Sequence, residues 1–95
     1  MKKLFGSPQS VAYSAPGIAP EDAAVLNMRA DLMAKLRRVI AQHGWTQQQA
    51  SAHLGISQSR VSDLVRGKSD KFRLDMLIKL ATRIGQKLHL VLEPA

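Results

Sequence analysis

Between Gln58 and Asp63 lie an amide, two hydroxyls, a guanidinium and a carboxylate, carried by Gln58, Ser59, Ser62, Arg60 and Asp63. An amide can present a donor and an acceptor together to an adenine edge, and hydroxyls can donate or accept at several bases. A guanidinium can fork onto guanine or close on a phosphate, and a carboxylate can accept from cytosine or repel a phosphate. A second set of residues suits anions. Thr46 and Gln47 begin a short helical pattern, where exposed backbone N–H groups can hold a phosphate. Arg66, Lys68 and Lys71 follow the polar cluster closely, and from Gln58 to Arg73 five basic residues stand against Asp63 and Asp70. These types and spacings suit the reading of base edges and the anchoring of a phosphate backbone.

Other chemistries find little support. His43, His53 and His89 share no metal-ligand spacing and no nearby thiolate or carboxylate cluster, so no metal site is expected. No Ser-His-Asp or paired-acid arrangement is present either. The sequence therefore predicts a binding protein with no cofactor, rather than an enzyme.

The elements that would position these residues can be read from their punctuation. Thr46 is an N-cap for a helix over Gln47 to His53, and Ser57 for a helix over Gln58 to Val65. Gly55, between them, suits the left-handed position that ends a helix sharply, and Gly67 ends the next one in the same way. Ala50, Ser51 and Ala52 are small enough for two short helices to cross closely. Leu54, Ile56, Val61 and Leu64 are placed as pegs into a core, which leaves Gln58, Ser59, Ser62 and Asp63 facing outward.

Flanking helices complete the domain. Pro20 with Glu21 and Asp22 opens a long helix that Gly44 closes after His43. Its apolar stripe is read as Val25, Leu32, Leu36, Val39 and Ile40, with Met33 beside it, and Arg37 and Arg38 as a solvated face. Trp45 reads as a core plug rather than a stacking platform. After a loop, Leu74, Leu77, Ile78, Ala81 and Ile84 mark the buried face of another helix, stopped by Gly85. Met76 and Leu80 lie off that stripe and either complete the core or dock a partner. From Lys87 to Glu93 leucine alternates with other side chains, the period of a half-buried strand.

Ninety-five residues, 45% of them hydrophobic and 22% charged, make one globular domain with few aromatics and hence an aliphatic core. The formal charge of +7 favours polyanionic partners. No cysteine is present, which is compatible with a reducing compartment. The opening Met1-Lys2-Lys3-Leu4-Phe5 is charged like an export signal, but its apolar run stops at Gly6, and no stretch is long enough for a membrane span. A cytoplasmic protein with no membrane partner is expected.

Thr46-Gln47, two small residues, Leu54-Gly55-Ile56-Ser57-Gln58, then Val61, Leu64 and the Arg66-Gly67-Lys68 close resemble the XRE family of lambda-repressor-like helix-turn-helix proteins. The long first helix, Leu74-Asp75-Met76-Leu77 and a C-terminal strand resemble its HigA-like antitoxin branch. The resemblance implies a mainly α, five-helix domain with one C-terminal strand. It further implies Gln47 on a phosphate, Gln58, Ser59 and Asp63 at bases, Arg60 at either, and Arg66 and Lys68 along the backbone. Two positions depart from the pattern: Ser51 stands where alanine is usual, and Asp63 where a neutral reader is common.

The expected organisation is a flexible arm over residues 1–19, the helical DNA-binding domain over 20–85 and a strand over 86–95. A lone strand cannot satisfy its own backbone. Leu88, Leu90 and Leu92 are therefore assigned to a homodimer in which two copies of the strand pair, with two recognition helices reading a palindromic double-stranded operator. The function expected is transcriptional repression, as an antitoxin or as a stand-alone regulator of phage or chromosomal type. The resemblance also implies a RelE-like toxin as partner, and a chiefly toxin-neutralising protein is one alternative. A nonspecific nucleoid coat is another, which would bind without regard to sequence and with steep salt dependence.

Overall fold

The computed structural model describes residues 17–94. Most of the expected N-terminal arm lies outside the described residues. The first helix, α1, spans Pro20–His43, with Pro20 in its first turn, Glu21 and Asp22 at its positive end, and Gly44 in the left-handed conformation (φ 65°) at its close. Helix α2 spans Gln47–Leu54 and α3 spans Gln58–Val65. A 3-10 turn follows at Ser69–Lys71, and α4 spans Leu74–Arg83. The described residues thus hold four α-helices and one 3-10 turn, where the family resemblance implies five helices.

One aliphatic core joins all four helices. Leu32, Met33, Leu36 and Ile40 of α1 meet Ala50 and Leu54 of α2, Val61 and Leu64 of α3, and Leu77, Leu80 and Ala81 of α4, with Phe72 entering from the loop. Helix α2 packs on α3, α1 packs on α4 and also on α3 and the 3-10 turn, and α4 braces α2. Trp45, Ile56, Leu74, Met76 and Ile84 close the margins. Burial of these side chains is the main force holding α3 to the body, at about 1.5–3 kcal/mol for each large aliphatic residue.

Two expected faces are corrected. Val25 is 46% exposed rather than buried. The reason is phase: in the N-terminal half of α1 the half-buried residues include Leu26, Arg29 and Ala30, so Val25 lies off the covered face. In α4 the buried phase is Leu77, Leu80 and Ala81, with Ile84 at its edge, and Ile78 is 42% exposed. Spacings of three and four residues fit either phase, and packing against α1 chooses between them. Leu80 therefore belongs to the core, and Met76 packs against it, partly buried.

The C-terminal segment carries no strand, and the described residues contain none elsewhere. Leu90 and Leu92 stand 72% and 90% exposed, while Leu88 leans toward a shallow groove between α1 and α4. An extended segment becomes a strand only when a neighbour accepts its backbone bonds. No described residue pairs with it as a strand.

Candidate nucleic-acid interface

The centre of the interface is α3. Ser57 caps it by accepting a hydrogen bond from the Arg60 N–H at 3.1 Å. Val61 and Leu64 are fully buried, which fixes the rotation of the helix about its axis. Gln58 and Ser59 are consequently exposed on its first turn, with no hydrogen-bond partner for either side chain among the described residues. Ser62 and Asp63 are half-buried on the same helix. Gln58 and Ser59 thus stand free on the surface of α3, and Ser62 and Asp63 lie deeper.

Asp63 is already engaged. Its carboxylate lies 4.0 Å from the Lys68 ammonium, and its carbonyl accepts from the Lys68 N–H at 3.0 Å. The acidic residue at this unusual position therefore tethers the loop that follows α3 and partly answers the Lys68 charge.

Arg60 is engaged as well. Its guanidinium donates to the Lys71 carbonyl at 3.2 Å and lies 4.9 Å above the Phe72 ring. The sequence left base and phosphate open as its target. Here it instead binds α3 to the following loop, and so holds the Lys71 backbone close to the first turn of α3.

The approach to α3 is set by α2 and the turn. Thr46 and Gln49 form a reciprocal capping box: the Thr46 hydroxyl accepts from the Gln49 N–H at 3.1 Å, and the Gln49 amide oxygen accepts from the Thr46 N–H at 2.9 Å. Thr46 therefore acts as a cap, and the backbone N–H groups of Gln47 and Gln48 remain available in the first turn. At the other end, Gly55 takes φ 71°, and its N–H donates to the Ser51 carbonyl at 2.8 Å. The Ser51 hydroxyl donates to the Ile56 carbonyl across the turn. Serine at this position is thus part of the turn, where the resemblance suggested a tolerated replacement for alanine.

Three residues carry more than sequence reasoning assigned to them. The Arg83 guanidinium donates to the Leu54 carbonyl at 2.9 Å and so caps the C-terminus of α2 from α4. Arg37 of α1 reaches the loop after α3, where a Cβ on Gly67 would sit 3.3 Å from its Nη1. Trp45 packs on the core as expected, and its ring is also sandwiched between His43 and His53, with centroid separations of 4.4 and 4.1 Å. The Arg83, Arg37 and His53 contacts have no local sequence signal, because each joins residues distant in the chain.

Arg66 and Lys68 follow the C-terminal end of α3, and Lys71 is held to Arg60 of its first turn; all three basic residues are exposed. A capped brace helix, a left-handed glycine turn and a second helix with outward polar residues define a helix-turn-helix module. The chain belongs to the helix-turn-helix domain family, whose model matches residues 17–93. The chain matches none of the curated proteins with which it was compared. No helix among the described residues is long and apolar enough to cross a membrane.

Proposed function

We propose that this protein is a sequence-specific DNA-binding transcriptional regulator, a repressor that binds a palindromic operator as a homodimer. The observation that carries the reading is the first turn of α3: Gln58 and Ser59 are exposed and unpartnered, on a helix fixed by the fully buried Val61 and Leu64. Groove entry requires a helix held rigidly by one face and polar on the other, and basic residues at its end supply the anchoring to phosphates.

The dimer is supported by the C-terminal segment. Leu90, Val91 and Leu92 are well exposed on a stretch outside the helices that forms no strand within the described residues. Antiparallel pairing with a second copy would bury these side chains and satisfy that backbone. It would also relate two α3 helices by a twofold axis, with half-sites about one helical turn apart. The toxin-covering alternative gains nothing from Met76 and Leu80, which pack in the core.

Selection of bound fragments from a random duplex pool tests the function. The expected product is an enriched inverted repeat, whose affinity falls when Gln58 is replaced by alanine while the helical circular dichroism is kept. Recovery of a pool with no sequence preference would favour the nucleoid-coat alternative.

A further inference from the structure

We propose that Arg37, which lies on α1 and outside the helix-turn-helix, is a phosphate-contacting residue that acts with Arg66 and Lys68 at the C-terminal end of α3. The proposal rests on the DNA-binding reading and adds to it a contact from a different element.

The placement is specific. Gly67 takes φ 74°, a conformation that favours glycine, and a Cβ there would meet the Arg37 guanidinium, with Nη1 at 3.3 Å and Cζ at 4.0 Å. The guanidinium therefore fills the space beside a bare stretch of backbone. The neighbours of that glycine are Arg66 and Lys68, both exposed. The Arg37 guanidinium from α1 thus lies beside a glycine whose two sequence neighbours are also cationic. Of these, Lys68 is partly answered by Asp63 at 4.0 Å. Arg37 has no hydrogen bond or ion pair among the described residues, and its residue is half-buried.

A guanidinium that forms no hydrogen bond or ion pair within the described residues keeps all its donors for an approaching phosphate. Partial burial of its stem also restricts the side chain before binding, so less freedom is lost when a phosphate arrives. The C-terminus of α3 carries partial negative charge that attracts Arg37 too, so a purely structural role predicts a different outcome from the same variants.

The test measures binding of a labelled random-sequence duplex at a series of KCl concentrations, which reads phosphate contacts without knowledge of the operator. Each lost contact lowers the slope of log K against log salt by about 0.9. Arg37→Gln is expected to lower the slope by about that amount and Arg37→Lys to retain it. Lys79→Gln removes an equal charge from the exposed side of α4 and is expected to leave the slope as in the native chain. An Arg37→Gln slope equal to that of Lys79→Gln overturns the proposal, whatever the change in thermal midpoint. Should the native chain itself show no salt-dependent binding, the DNA-binding reading fails instead.

Discussion

The Arg83 guanidinium reaches from the end of α4 to the Leu54 carbonyl, 29 residues earlier, at 2.9 Å. It also lies against Gly55, where a Cβ would meet its Nη1 at 3.5 Å. The carbonyls at the end of α2 lack intrahelical donors, and a cation is doubly suited to them, as a donor and as a partner for the negative end of the helix. Arg83→Met keeps much of the apolar stem and removes the donor. It is expected to cost about 1–2 kcal/mol of unfolding free energy in urea titration, the range for a partly exposed hydrogen bond from a charged group.

Ser51 makes the complementary contact within the turn. Its carbonyl accepts from Gly55, and its hydroxyl donates to the Ile56 carbonyl. The family pattern with alanine here predicts that Ser51→Ala is harmless. The observed bond predicts a loss of about 1 kcal/mol, because the Ile56 carbonyl is left without its donor in a partly buried site. Thermal denaturation of the two proteins side by side distinguishes these expectations, and an unchanged midpoint would assign the bond no weight.

These two cases show what the sequence could reveal. Most helix ends were legible to within a residue because their signals are local: Thr46 and Ser57 as caps, Gly44, Gly55, Gly67 and Gly85 as stops; the start of α4 carries no capping side chain. The exposure of Gln58 and Ser59 was legible too, since it follows from the buried phase of an eight-residue helix. The destinations of Arg37, Arg60 and Arg83 were not. A long side chain samples many positions, and only the packing of remote elements decides which one it takes. The C-terminal segment is a related case: alternation marks a segment that could be a strand but does not supply the neighbour it needs.

The stack of His43, Trp45 and His53 joins the end of α1 to α2 through the chain's single tryptophan. Its rings are within 8° and 11° of parallel, so each imidazole covers one face of the indole. Replacing His53 with alanine should uncover one face, raise quenching of Trp45 fluorescence by acrylamide, and cost about 0.5–1.5 kcal/mol of stability. Equal quenching in the variant and the native chain would mean that the imidazole does not shield the ring in solution.

Gln58 and Arg60 should respond differently to truncation. Gln58 is unpartnered, so Gln58→Ala is expected to relax preference at one base-pair position by about 1–3 kcal/mol. Arg60 already holds the loop through Lys71 and Phe72, so Arg60→Ala should weaken binding to cognate and scrambled duplexes by similar factors. Competition binding with single-position operator variants measures both. A loss confined to one base pair in Arg60→Ala would return that residue to direct base reading.

The dimer proposal turns on residues 87–94, which contribute little to the core of the single chain. Leu90 and Leu92 are largely exposed, and the described core is complete without them. A chain ending at Gln86 should therefore keep its helical content but sediment as a monomer. Its operator affinity should fall far more than its affinity for an isolated half-site, because the two recognition helices are no longer linked and lose their effective concentration for each other. Replacing Leu90 with Asp in the full chain separates side-chain burial from backbone pairing, since it keeps every N–H and C=O of the segment while placing a charge where two copies would meet. Sedimentation of both variants as stable dimers would move the interface to another surface.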